Sequence, residues 1–138
     1  MPKILIIEDE AEVRSVVRIL LLAEGHEVVE AAYGQEGCGK AISHKPDLIL
    51  LDLMMPVMDG FAVLRKLKSG QETKRIPVIM LTSRIDAASE RRCMQDGAID
   101  YVKKPWGPGE LEDRIAIALG YRPNGPNHFH TRNVRSRS

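Results

Sequence analysis

The stretch ILLDLMMPVMDG, Ile49 to Gly60, decides how this chain reads. An aliphatic run of strand character ends in one carboxylate, Asp52, and two methionines and a proline follow. A buried run puts its last residue at the rim of a core, where a charged group needs a partner. Extended backwards, the stretch becomes DLILLD, Asp47 to Asp52, a strand with no polar face. Three more short runs share its character: KILII from Lys3, IPVIMLT from Ile76 and AIDYV from Ala98, with EVVEA from Glu27 as a further strand. Continuous aliphatic runs of this length read as strands covered on both faces.

Between the strands the period changes. From Ala11 to Glu24, Val13, Val16, Val17, Leu20 and Leu21 fall on one helical face, and Gly25 is placed to stop the helix. Gly34 to Ser43 reads as a poor helix, since Gly37 and Gly39 each cost about 1 kcal/mol relative to alanine. Pro46 ends it. Asp59 is placed to cap a helix through Lys68, and Asp86 one that runs to Asp96 with Gly97 as its stop. Pro108 sits early in a last helix whose Leu111, Ile115, Ala118 and Leu119 share a face. Five strands alternating with five helices give an α/β fold: a parallel sheet with helices on both sides and right-handed crossovers.

The 138 residues suit one domain. No apolar run approaches the ~20 residues that span a membrane, and MPKILIIEDE lacks the basic flank and cleavage site of a secretory signal. Cys38 and Cys93 fit a reducing, cytoplasmic setting. The net charge of +1 hides an asymmetry: Gly120 to Ser138 carries four arginines and no acid, which leaves Met1 to Leu119 at a formal −3. Residues 1–119 are therefore expected to fold, and 120–138 to be a basic, disordered tail or linker. His128 and His130 read as incidental to that tail, and its four charges promise only weak attraction to nucleic acid.

In an open parallel sheet, ligands bind outside the carboxyl ends of the strands. The first strand delivers Glu8 and Asp9 there, the third Asp52, the fourth Thr82 and Ser83, and the fifth Lys103, Lys104 and Pro105. The second delivers only Ala31 and Ala32. Three carboxylates held close repel one another unless a cation joins them. A hard ion such as Mg²⁺ takes oxygen ligands, a lysine and a threonine hydroxyl suit phosphoryl oxygens, and an aspartate can itself form an acyl phosphate.

Together Glu8-Asp9, DLMMPVMDG, Thr82 and DYVKKP resemble the response-regulator receiver domain of two-component signalling, in the manner of a single-domain chemotaxis regulator. The resemblance covers Met1 to Leu119. It implies a flavodoxin-like, doubly wound five-stranded sheet of order 2-1-3-4-5 and a phosphoryl group accepted by Asp52 from a histidine kinase or histidine phosphotransfer protein. It implies Mg²⁺ or Mn²⁺ on Asp9, Asp52 and the Met54 carbonyl, with Glu8 acting through water. Thr82 and Lys104 match the phosphate-binding pair, Tyr101 the switch aromatic, and Pro105 a cis proline. Met54 and Arg84 match the positions that tune dephosphorylation. Trp106 stands where phenylalanine is more usual. Such a protein is an enzyme only upon itself.

Ile19 and Leu22, with Ser15, lie off the apolar stripe of the first helix, where the family meets the phosphodonor. The face of the fourth helix, fifth strand and fifth helix is expected to meet a downstream protein or a second copy, decorated by Arg91, Arg92, Asp100, Glu112 and Asp113. Neither nucleic acid nor membrane is an expected partner of this domain. Three other readings compete. A degenerate receiver would bind partners without phosphorylation, but the full residue set is present. An aspartyl-nucleophile phosphatase would want a second aspartate where Met54 stands. A flavin-binding module would want a phosphate-cradling loop where EDEAE stands.

Overall fold

A computed structural model describes residues 1–121; the readings made for Arg122 onward, His128, His130 and the tail arginines included, lie outside the described residues. Its elements alternate strictly. They are β1 (Lys3–Ile7), α1 (Ala11–Ala23), β2 (Glu27–Ala31), α2 (Gly34–His44), β3 (Leu48–Leu51), α3 (Gly60–Ser69), β4 (Val78–Thr82), α4 (Ala87–Gln95), β5 (Asp100–Lys103) and α5 (Glu110–Ala118). The strands form one parallel sheet in the order β2-β1-β3-β4-β5.

Period-two alternation sends each strand's side chains into two separate cores. Leu5, Ile7, Ile49 and Leu51 face α2 and α3, with Cys38, Val63, Leu64 and Leu67 packed on them. Ile4, Ile6, Leu48 and Leu50 face α1 and α5, against Val17, Leu21, Leu111 and Ile115. A sheet covered on both faces needs strands with no polar side, as KILII and LILL have.

The helix ends follow local chemistry. α1 closes in a Schellman motif: Gly25 at φ 89° donates to the Leu22 carbonyl and His26 to that of Leu21. Asp59 and Asp86 cap α3 and α4, accepting the N–H groups of Ala62 and Ser89 at 3.0 and 2.9 Å.

Several expectations are corrected. Val16 is 55% exposed, so the inward face of α1 is Val13, Val17, Leu20 and Leu21. β2 is an edge strand with Glu27 exposed and its valines only half-buried, not a strand covered on both faces. Pro108 lies in the turn before α5, whose N-cap is Gly109. The glycines of α2 do not mark a weak helix alone. A Cβ at Gly37 would stand 2.5 Å from the Ile7 side chain, so glycine lets α2 lie close on β1.

Candidate functional site

Ladder register assembles the acidic site. The Asp52 N–H donates to the Ile7 carbonyl at 3.0 Å and the Glu8 N–H to that of Ala31 at 3.1 Å. These bonds carry the β1 and β3 ladders one residue past the strands and set Asp52 beside the Glu8-Asp9 pair. At the far side the Lys104 N–H donates to the Thr82 carbonyl at 2.9 Å, just beyond the last paired rung of β4 and β5.

Glu8, Asp9 and Asp52 each offer an oxygen within 4.8 Å of the others. Glu8 and Asp52 are buried. The Lys104 ammonium closes the group, 2.7 Å from Glu8 Oε1, 3.6 Å from Asp52 Oδ2 and 3.8 Å from Glu10 Oε1. Its first partner is thus Glu8, with Asp52 second. Burial pushes the Glu8 carboxyl up to about 7, against the hydrogen bond from Lys104 and reinforced by the charge of Asp52. Burial works against the Lys104 ammonium too, but the hydrogen bond to Glu8 and the neighbouring carboxylates outweigh it and hold its pKa above the ordinary value.

Asp52 Oδ1 accepts the Met54 N–H at 3.2 Å, while the Met54 side chain is exposed. Asp9 Oδ1 is buried with no hydrogen-bond partner. An orphaned carboxylate oxygen beside two further carboxylates is an all-oxygen donor set short of positive charge, which fits a hard divalent cation.

The remaining residues frame this pocket. Thr82 is fully buried, and its Oγ1 accepts the Arg84 N–H at 3.2 Å. Lys103 and Ser83 are exposed and take no part. The Lys104–Pro105 bond is cis. Tyr101 is only 6% exposed and donates from its hydroxyl to the Arg84 carbonyl at 2.7 Å. The aromatic therefore lies inside, tied to the loop between β4 and α4. Ile19 and Leu22 are exposed, away from this pocket.

Sequence reasoning missed two supports, those of Arg14 and Arg92, and named Gly60 only as shaping the turn after Asp52. Arg14 reaches from α1 to the Glu8 carbonyl at 2.8 Å and to Glu30 of β2 at 3.1 Å, so it steadies the acidic loop. Its signal was an arginine at the margin of the apolar stripe, beside Leu21 on the helix surface. Gly60 comes so close to the site's backbone that a Cβ there would stand 2.5 Å from the Asp52 carbonyl oxygen. Arg92 stacks on Phe61 of α3, 3.8 Å from the ring centroid, rather than decorating the α4–β5–α5 face. On that face Asp100 pairs with Arg114.

A parallel 2-1-3-4-5 sheet with this acid-lysine-threonine edge defines a class. The chain belongs to the response regulator receiver domain family, whose sequence model matches residues 4–116. Among curated relatives, the phosphate regulon transcriptional regulatory protein PhoB of Pseudomonas aeruginosa is 39% identical over 123 residues, which are 89% of this chain and 53% of that protein. The KDP operon transcriptional regulatory protein KdpE of Escherichia coli is 40% identical over 119 residues, 86% of this chain and 52% of KdpE. The chain thus spans about half the length of these relatives. Among solved structures, the chemotaxis protein CheY4 of Vibrio cholerae superposes with a TM-score of 0.81 at 30% identity, covering 86% of this chain and 98% of that one. The receiver domain of the sensor histidine kinase PA1611 of Pseudomonas aeruginosa, solved with a magnesium ion coordinated in its active site cleft, gives 0.79 at 29% identity over 86% and 98%.

Proposed function

We propose that the chain is a phosphorylation-dependent signalling switch in which Asp52 accepts a phosphoryl group from a histidine kinase or histidine phosphotransfer protein. The observation that carries this is the triad of buried Glu8, half-buried Asp9 and buried Asp52, with Lys104 against it and one Asp9 oxygen unpartnered. The Asp52 carboxylate attacks phosphorus in line, an O–P bond forms, and the P–N bond to the donor imidazole breaks. Lys104 neutralises the transferred oxygens from its place 3.6 Å from Asp52. Thr82 turns its hydroxyl to the same group. Asp9, Asp52 and the Met54 carbonyl would hold Mg²⁺ or Mn²⁺, with Glu8 acting through a water. When bound, the ion supplies charge that stabilises the transferring group.

Hydrolysis of the acyl phosphate resets the switch, with Met54 and Arg84 tuning its lifetime. Donor contact runs over α1, where Val16 now joins Ile19 and Leu22 in an exposed apolar strip. The phosphorylated state is read at the α4–β5–α5 face by a downstream protein or a second copy, in the cytoplasm. No described helix is long and apolar enough to cross a membrane. Borohydride converts an aspartyl phosphate to homoserine, so treatment after acetyl phosphate and Mg²⁺ should place homoserine at position 52 on peptide mapping. Homoserine at another position would reassign the acceptor.

A further inference from the structure

Arg84 is the junction of the switch region. Its N–H binds the Thr82 hydroxyl at 3.2 Å, and its carbonyl accepts the Tyr101 hydroxyl at 2.7 Å. Its side chain donates to Asp86 Oδ1 at 2.9 Å, and the guanidinium lies 6.0 Å from the centre of the Phe61 ring. Asp86 is in turn fixed as the cap of α4, accepting from both the backbone N–H and the Oγ of Ser89, at 2.9 and 3.0 Å. Ser83, Arg84, Ile85 and Asp86 are all exposed, so apolar burial does little to position this segment. Polar bonds hold it, and the Asp86–Arg84 pair ties it to a helix.

We propose that Asp86, acting through Arg84, is a positioning residue that latches the β4–α4 loop in the arrangement that keeps Tyr101 inside. The pair sets the balance between inside and outside before any phosphoryl group arrives. The proposal rests on reading Thr82 and Tyr101 as the moving pair, but its test needs no phosphoryl group. An exposed ion pair is weak, so it biases an equilibrium rather than locking it, by roughly two- to five-fold. A bias of that size can be overridden by a covalent event at Asp52, as a switch requires.

The test is ¹⁹F NMR of the unphosphorylated chain labelled with 3-fluorotyrosine, with the Tyr101 signal assigned by Tyr101→Phe. Asp86→Asn keeps an oxygen to cap α4 while discarding the charge. It should raise the outside-to-inside ratio of Tyr101 roughly two- to five-fold. In an Arg84→Ala background the same change should do nothing further, which a merely structural role for Asp86 would not produce. High salt should shift wild type in the same direction and leave Arg84→Ala unmoved, a check that does not depend on how Asp86→Asn folds. A Tyr101 signal indifferent to both Asp86→Asn and salt overturns the latch. So does an Asp86→Asn effect that persists undiminished without Arg84. Failure of the phosphoacceptor reading would appear separately, in the mapping of position 52.

Discussion

The β2–α2 and β3–α3 junctions leave the same edge of the sheet and enter helices on the same side of it. Their construction differs. After β2, Glu36 accepts the Ala32 N–H at 2.8 Å, and Lys40 bridges Glu36 and the Glu30 carbonyl at 3.1 and 2.7 Å. That backbone hydrogen bond, with Lys40 behind it, holds the Glu36 carboxyl below its ordinary range. Each charge in this junction is matched. After β3, Asp52 faces two more carboxylates, one of which has an orphaned oxygen. Val57 adopts φ 68°, fully exposed, at the centre of a γ-turn closed by Met58 N–H on the Pro56 carbonyl at 2.7 Å. That turn is strained for any residue with a Cβ, and most of all for a β-branched one. The difference teaches where the fold tolerates cost: one junction matches its charges one to one, while the other sets three carboxylates against the single ammonium of Lys104 and leaves one Asp9 oxygen without a partner.

The sharpest way to break this comparison is Gly60→Ala. The new Cβ would meet the Asp52 carbonyl oxygen and the Leu53 Cα, each at 2.5 Å, and backbone cannot step aside cheaply. Urea unfolding should show a loss of about 3 kcal/mol, the upper end for overpacking. A loss below half of that would mean the junction has slack.

Next in size is the pH dependence that Glu8 imparts without metal. Its folded pKa of about 7 lies above the ordinary 4.5, so the native state holds the proton more tightly. Its contribution is complete below the unfolded value and is lost as pH rises through about 7. His26 runs the other way: burial lowers its pKa, so its contribution is complete above 6.5 and is lost as pH falls through the folded value. Glu8→Gln keeps the His26 response and removes the other. In EDTA, wild type should therefore lose about 3 kcal/mol relative to Glu8→Gln between pH 4.5 and pH 8. A constant difference across that range would show that Glu8 ionises without penalty.

Val57→Gly should relieve the strained turn and stabilise the chain by about 1 kcal/mol, seen as a rise in melting temperature. No gain would remove the turn from the cost side of the comparison. Smallest is a change in the quiet half. Gly39→Ala, in α2 with nothing within 4 Å of the new Cβ, should stabilise by about 0.5–1 kcal/mol. Destabilisation there would contradict the open space seen around it.

Much of this was legible in the residues. Aliphatic runs ending in Glu8-Asp9, Asp52, Thr82 and Lys104 identify both the sheet and its chemical edge, because strand burial and strand ends are local properties. Val16 was misread because helical period leaves a residue at the border of a stripe free to fall either way. The exposure of β2 follows from its place at the sheet edge, which EVVEA itself does not record. Gly37 looks like a helix breaker until Ile7 is known to lie against it. The preference of Lys104 for Glu8, and the meeting of Thr82, Tyr101 and Asp86 at Arg84, depend on side-chain geometry between distant segments.

The most direct test of the central claim is the intact mass of the chain after acetyl phosphate with Mg²⁺. One added phosphoryl group is expected, absent in EDTA and absent in Asp52→Asn. No mass gain in wild type, or a gain that survives Asp52→Asn, would contradict it.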